Sequence, residues 1–126
     1  MVVLEEMFFG KPRDHEEARS MLSLLSGKEH RVITAFCVLD PAGSIAHREA
    51  VTTLVKMKYL TEEEIRAYVA TGEPLGKAGS YAIQGIGSFM VESISGSYAN
   101  VVGLPVCALI KCLLATAALE SYPLSP

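Results

Sequence analysis

The segment from Arg31 to Met57 constrains the fold of this chain most. Its first run, Arg31 to Leu39, is rich in β-branched and apolar residues and lacks the spacing of an apolar helix face. The turn sequence Asp40-Pro41-Ala42-Gly43 follows, and a second run then continues through Met57. The segment therefore predicts a long antiparallel hairpin.

The second run of this hairpin alternates along its length. One set of alternate positions carries threonine or an apolar side chain, namely Val51, Thr53, Val55 and Met57. Successive side chains of a strand point to opposite faces, so these four share a face. We expect that face to lie on the core and the other to stay partly wet.

Two capping boxes mark where helices begin, in the pairs Asp14 with Glu17 and Thr61 with Glu64. In such a pair the side chain of the first residue accepts a hydrogen bond from an otherwise unpaired amide of the first turn. Apolar residues follow each pair at helical spacing. Gly27 and Gly72 predict the two helix ends.

Shorter runs complete the predicted architecture. Val2 to Leu4 and Met7 to Phe9 predict two strands joined by a tight connection, and Phe89 to Ile94 predicts another strand. The segment from Glu73 to Gly87 follows neither period and predicts an irregular loop, which is a common place for a functional site. Helices interleaved with hairpins favour an α/β or α+β layer architecture.

The most apolar segment runs from Val101 to Leu119. It carries Pro105, at a predicted first helical position, and Lys111 in its middle, so it falls short of a membrane span and predicts a core helix. The three cysteines are odd in number and stand in apolar runs, which predicts buried thiols in a reducing cytosol: Cys37, Cys107 and Cys112.

Several familiar functional signals are absent from the sequence. A net charge of -3 argues against a nonspecific nucleic-acid surface, and the start of the chain has no secretory signal. Gly85-Ile86-Gly87 lacks the third glycine of a dinucleotide loop, and Gly76-Lys77 lacks the first glycine and the metal-binding hydroxyl of a P-loop. The histidines are widely separated, which favours surface or turn positions over zinc ligands: His15, His30 and His47.

Three polar clusters interrupt the otherwise apolar chain: Gly10-Lys11-Pro12, the segment from Glu73 to Gly85, and the segment from Gly96 to Pro105. In this order they resemble the Maf family. Two further similarities are Leu25-Ser26-Gly27 with His30, and the helix at Glu63-Glu64-Ile65. The resemblance covers nearly the whole chain.

The resemblance implies an α/β fold of the Maf and ITPase type, with a mixed sheet, flanking helices and a cleft between two lobes. It also implies hydrolysis of a nucleoside triphosphate to the monophosphate and pyrophosphate with Mg²⁺ or Mn²⁺. By the family pattern Lys11 and Lys77 bind phosphate and Gln84 helps to select the base. The motifs around Lys77 and Gln84 look like those of the dTTP/UTP subgroup.

The resemblance implies a nucleoside triphosphate as the partner, whereas the cysteine pattern predicts a cytoplasmic protein and the charge and the interrupted apolar segment argue against nucleic acid and a membrane. A homodimer that covers an exposed sheet edge is a further possibility. Chemistry supports the site residues, because lysines offset phosphate charge and an amide can both donate to and accept from a base edge. Ordinary roles remain open beside these. Each lysine could be a solvated surface residue, and Gln84 could satisfy turn amides.

Glu73 could bind a metal through water or end the preceding helix, and the second role is favoured. Packing or turn roles are favoured for the other polar residues of the clusters, Tyr81, Tyr98 and Asn100.

Part of the family pattern does not occur in the sequence. Maf proteins begin with a Ser-x-Ser-Pro-Arg-Arg loop, and an Asp-Thr pair that carries the proton-accepting aspartate would fall just before Met1. We therefore expect residues 1–126 to be the C-terminal part of a single Maf-like domain with impaired activity and no catalytic residue of its own. The alternative is a noncatalytic nucleotide-binding or regulatory module linked to septum formation.

Overall fold

The computed structural model describes residues 1–124 and contains one five-stranded sheet. Its strands are β1 (Val2–Leu4), β2 (Met7–Phe9), β3 (Glu29–Leu39), β4 (Ile45–Met57) and β5 (Val91–Ser95). They lie in the order β2-β1-β3-β4-β5, and each neighbouring pair is antiparallel. The α/β class with flanking helices is confirmed, and within this chain the sheet is antiparallel rather than mixed.

In the described part of the chain, four α-helices accompany the sheet: α1 (His15–Leu25), α2 (Glu62–Ala70), α3 (Tyr98–Val102) and α4 (Val106–Ala115). Short 3₁₀ turns occupy Ala78–Ser80 and Ile86–Met90. Among residues 1–124, none of these helices has both the length and the apolar character that crossing a membrane requires.

The predicted long hairpin is confirmed by the pairing of β3 with β4. The register runs from Glu29 opposite Lys56 to Leu39 opposite Ile45. At its tip the side chain of Asp40 accepts hydrogen bonds from the amides of Ala42 and Ser44, each at 2.9 Å. Such an Asp-closed turn is what the local sequence predicts.

The predicted inward face of β4 is also confirmed. Thr53, Val55 and Met57 are buried, whereas Thr52 and Lys56 are exposed. The helices α1 and α2 add apolar residues to the same core, including Ala18, Leu22, Leu25, Ile65, Tyr68 and Val69. Complete burial of one large apolar side chain contributes about 1.5 to 3 kcal/mol, so this cluster is a main source of stability.

The two predicted caps form with different completeness. In α2 the Thr61 side chain accepts from the Glu64 amide, and the Glu64 side chain accepts from the Thr61 amide, which completes the box. In α1 the Asp14 side chain accepts from the Glu17 amide at 2.8 Å, but the Glu17 carboxylate accepts from the amide of Arg13 instead. The capping box of α1 is therefore incomplete, because the Glu17 side chain bonds the amide one residue before the N-cap Asp14.

The strand predicted from Phe89 to Ile94 begins later, at Val91. Ile86–Met90 is wound into a 3₁₀ turn, so the first two predicted strand residues belong to that turn. Helix α3 was not predicted, although Ser97 caps it by accepting a hydrogen bond from the Asn100 amide at 3.1 Å. A five-residue helix shows too little periodicity to be recognised from sequence.

The prediction of a core helix between Val101 and Leu119 is wrong for this chain. In α4 only Cys112 is buried, while Val106 and Leu114 are exposed. Pro105 lies at the N-cap rather than at the first helical position. The prediction of three buried thiols is also wrong, because Cys37 and Cys107 are exposed.

Candidate functional site

A cleft of about 550 Å³ lies where the start of β1 meets the middle of β3. Its walls come from four parts of the chain: Met1 and Val2, residues 32–35 of β3, residues 76–84 of the loop after α2, and residues 100–103 of α3 and its end. The cleft contains both Lys77 and Gln84. Two of the three residues singled out from the sequence therefore share one concave surface.

Lys77 is exposed and stands directly before the 3₁₀ turn Ala78–Ser80. Its amide donates to the carbonyl of Pro74 at 3.1 Å, which closes the turn that leads into the cleft. Pro74 itself is fully buried. A buried proline and a closed turn fix the backbone while the ammonium group remains in solvent.

Lys11 reaches the edge of this region through its neighbour Gly10. The carbonyl of Gly10 accepts a hydrogen bond from the amide of Gly79 at 3.1 Å, so the segment after β2 runs beside the Lys77 turn. Lys11 is exposed and is not among the residues that line the cleft. The structure thus brings its segment to the cleft border and leaves its side chain outside the walls.

Gly79 shows why these segments approach so closely. Its φ is +74°, a conformation that side-chain-bearing residues rarely adopt. A Cβ there would lie 3.1 Å from both terminal carbons of the buried Val2. Glycine at this position therefore lets the Lys77 turn pack directly against β1.

Gln84 is exposed at the cleft wall and follows Ile83, which is buried. The side-chain amide has no hydrogen-bond partner within residues 1–124. A turn-satisfying role for this amide would require such a bond. Its place in the cleft instead leaves both its donor and its acceptor available to a ligand.

His30 and Tyr81 form a buried polar pair behind the cleft. The His30 Nε2 lies 2.7 Å from the Tyr81 hydroxyl, and Tyr81 lines the cleft. Burial lowers the pKa of His30 to about 4, so its imidazole is neutral at neutral pH, and burial also raises the pKa of Tyr81. The sequence prediction of a surface or turn position for His30 is wrong.

A signal for this histidine was present in the strand pattern. His30 and Val32 are two residues apart in β3 and are both buried, as alternation along a strand requires. The packing role favoured for Tyr81 agrees with its burial.

Asn100 connects α3 to the hairpin beneath the cleft. Its Nδ2 donates to the carbonyl oxygens of Val32 and Val51 at 3.0 and 3.1 Å, and it lies 3.1 Å from the Thr53 hydroxyl. Asn100 is 1% exposed. The packing role favoured from the sequence fits these contacts, while Tyr98 is exposed on the same helix.

Glu73 is half-buried just after α2, and one of its carboxylate oxygens, Oε2, is buried without a hydrogen-bond partner in the described chain. The Glu73 amide donates to the Thr71 hydroxyl at 3.2 Å. This contact agrees with the helix-ending role that the sequence favoured.

A divalent cation fits this chain's side chains poorly. Within residues 1–124 no group of three or more His, Cys, Asp or Glu side chains is placed to hold a metal ion. The cleft wall, as far as the structure describes the chain, also contains no carboxylate. Mg²⁺ is usually held by one or two carboxylates together with substrate phosphates, so these residues alone do not form its site.

The cleft joins a lysine and an unpaired amide beside β1 and β3, which is an arrangement suited to an anionic ligand with a polar ring. Comparison with known families identifies the family of the chain as a whole. The Maf-like protein family matches residues 1–116, and the chain belongs to that family.

Curated relatives of this chain include three proteins named dTTP/UTP pyrophosphatase. The protein of Syntrophotalea carbinolica is 52% identical over 113 residues, which cover 90% of this chain and 51% of the relative. The protein of Geotalea uraniireducens is 49% identical over 120 residues, covering 95% and 62%. That of Desulfotalea psychrophila is 50% identical over 114 residues, covering 90% and 58%. The chain therefore spans between about half and three-fifths of the length of these relatives.

Proposed function

We propose that this chain is part of a nucleoside triphosphate pyrophosphatase that converts dTTP or UTP to the monophosphate and pyrophosphate. The observation that carries the proposal is the presence of Lys77 and Gln84 in one cleft of about 550 Å³. A space of this size falls within the range of small-ligand sites. Relatives about half identical to the chain bear the name of this activity.

The cleft residues would divide the substrate between them. Lys77 supplies a positive charge for the phosphates, where negative charge develops on the leaving pyrophosphate. Gln84 supplies a donor and an acceptor for the edge of the base. Lys11, at the cleft border, would add a second cation to the phosphate chain.

We further infer that residues 1–126 are the C-terminal part of a single Maf-like domain. Support comes from the relatives, of which this chain spans 51% to 62%, and from the cleft wall, which contains no carboxylate among the described residues. The proton acceptor for the attacking water would then lie outside this chain. A dependence on Mg²⁺ or Mn²⁺, a cytoplasmic location and a homodimer are part of the same proposal.

A chimera tests the activity directly. The part of the Syntrophotalea carbinolica protein that this chain does not span would be joined ahead of Met1, and pyrophosphate release from dTTP, UTP, dCTP and dGTP would be measured with Mg²⁺. We expect release from dTTP and UTP, and much less from this chain alone, since a missing general base costs a factor of about a hundred to ten thousand. The whole relative serves as the positive control.

One result would contradict the proposal. A folded chimera that releases no pyrophosphate from any of the four nucleotides, while the relative does, would remove the enzymatic role. Tight dTTP binding by that inactive chimera would instead favour the noncatalytic nucleotide-binding module.

A further inference from the structure

Tyr68, near the end of α2, contacts both ends of the segment that carries Gln84. Its hydroxyl accepts a hydrogen bond from the amide of Ala82 at 3.1 Å. At the other end, a Cβ added to Gly87 would lie 2.7 Å from the same hydroxyl and 2.4 Å from the Ala82 carbonyl oxygen. Residues 82 and 87 thus converge on one buried phenol, which is 2% exposed.

Glu73 contacts the middle of the same segment. A Cβ added to Gly85 would lie 2.5 Å from the Glu73 Oε1, so the carboxylate takes the space that a side chain would need. Gly85 also has a φ of +120°, which strains any residue with a side chain. Gly85, directly after Gln84, therefore packs against the Glu73 carboxylate.

The two supporting side chains are close enough to influence each other. Burial, and then the nearby Glu73 charge, raises the pKa of Tyr68 to about 12. The phenol is consequently neutral near pH 7 and keeps its proton. The ring of Phe89 packs edge to face on Tyr68, with centroids 6.2 Å apart, and holds the phenol from another side.

Fixed placement matters for an amide that reads a base. Thymine and uracil present an acceptor at position 4, where cytosine presents a donor. The oxygen and nitrogen of a glutamine amide exchange places when the group turns over, so a freely turning amide would serve both bases. Holding the backbone on either side of Gln84 does not stop the amide from turning, but it fixes where the amide meets the base edge, and discrimination requires that placement.

We propose that Tyr68 and Glu73 are positioning residues for nucleotide selection. They hold the Ala82–Gly87 segment, and with it Gln84, so that the cleft favours thymine and uracil over cytosine. This inference rests on the proposed function, because it concerns the base that the same cleft accepts. It adds two residues that do not line the cleft to those that decide specificity.

The test compares dTTP and dCTP binding by the 126-residue chain, using calorimetry with Mg²⁺ present. Tyr68→Phe removes the hydroxyl that accepts from Ala82, and Glu73→Gln removes the charge with little change in shape. Matched controls remove the same groups elsewhere: Tyr59→Phe at a side chain that is 75% exposed, and Glu63→Gln on the exposed side of α2. Inorganic pyrophosphate is titrated as well, because it reports phosphate binding without a base.

We expect Tyr68→Phe to lower the dTTP to dCTP preference by about three- to tenfold, as loss of one placed hydrogen bond does. Glu73→Gln should lower the same preference, because it changes the carboxylate that lies against Gly85. Pyrophosphate affinity should stay within about twofold, and the controls should match the wild-type chain. Purely structural support would instead weaken all three ligands together. If Tyr68→Phe does not fold, Glu73→Gln carries the test alone.

The outcomes that contradict this inference differ from those that contradict the proposed function. A wild-type chain that prefers dTTP, with both variants keeping that preference or weakening all ligands equally, would overturn this inference and leave the proposed function standing. A wild-type chain that binds no nucleoside triphosphate, or that binds dTTP and dCTP equally, would also overturn this inference, while pyrophosphate release by the chimera decides the proposed function separately.

Discussion

The two ends of the β3–β4 hairpin differ in how they use apolar side chains. At the site end, defined by Glu29–Ile33 and Thr52–Met57, the strands bury Val32, Val55 and Met57 in the core cluster that also contains residues of α1. At the distal end, defined by the Leu39–Ile45 tip and α4, Leu39 and Ile45 are more than half exposed, at 58% and 53%. The cleft opens at the packed end.

The helices show the same contrast. Helix α1 is the less apolar in composition, yet it buries Ala18, Met21, Leu22 and Leu25, whereas the almost wholly apolar α4 buries only Cys112. A packing partner, rather than apolar content, therefore decides whether a helix enters the core. Polar groups near the cleft are also placed by that core, as the His30–Tyr81 and Asn100 contacts illustrate.

The largest expected difference is in the stability lost when one leucine of α1 or one leucine of α4 is replaced by alanine. Leu22→Ala should lower the free energy of unfolding by about 2 to 5 kcal/mol, because it opens a cavity where the side chain is fully buried. Leu114→Ala, at a residue that is 39% exposed, should cost less than about 1 kcal/mol. Urea unfolding measures both. Equal costs would show that α4 is packed as firmly as α1.

A second comparison sets the buried Asn100 against the exposed Asp40, since each bonds two backbone groups. Asn100→Leu should destabilise by about 2 to 3 kcal/mol, because two carbonyls inside the structure lose a donor. Asp40→Ala should cost about 1 kcal/mol or less at the exposed tip, where water replaces the lost acceptor. Thermal unfolding would decide, and a larger loss at Asp40 would reverse the ranking of the two ends.

The stability of the site end should also depend on pH, through His30. The folded-state pKa of His30 is about 4, below its ordinary 6.5, so the unfolded chain binds the proton at higher pH. The buried His30 therefore imposes no penalty on the free energy of unfolding well above pH 6.5, and this free energy falls as the pH is lowered from there towards 4. Between pH 7 and pH 5 the loss should be about 2 kcal/mol.

Variants identify the source of that pH dependence. His30→Gln should flatten the slope of unfolding free energy between pH 7 and pH 5. The pKa of Glu17 is lowered by hydrogen bonds from the Arg13 amide and then the Arg13 side chain, and that of Glu64 by the Lys58 side chain and then the Thr61 amide, so both contributions are lost at lower pH. An unchanged slope in His30→Gln would remove the assignment.

Sequence patterns predicted the features that depend on near neighbours. The caps at Asp14 and Thr61 and the Asp40 turn need only residues within four positions, and the hairpin needs only alternation. The Lys77 and Gln84 segments were singled out by family resemblance, and the structure places both in one cleft.

The remaining features depend on distant partners that periodicity does not reveal. His30 is buried because Tyr81, far along the chain, lies against it, and α4 is exposed because little packs on it. Tyr68 and Glu73 contact the Gln84 segment at Gly87 and Gly85, and the sequence pattern does not show that these residues meet. The start of β5 was missed because a 3₁₀ turn took its first predicted residues.

In the proposed function, the cleft binds the phosphates of a nucleoside triphosphate because Lys77 lies in its wall, and not because the chain carries positive charge elsewhere on its surface. Calorimetric titration of dTTP into the chain with Mg²⁺ would compare Lys77→Ala, in the cleft wall, with Lys56→Ala, an exposed lysine of β4. Both changes remove one charge, but we expect only Lys77→Ala to weaken binding, by about tenfold or more. Equal dissociation constants for the two variants would contradict the assignment of the cleft as the phosphate site.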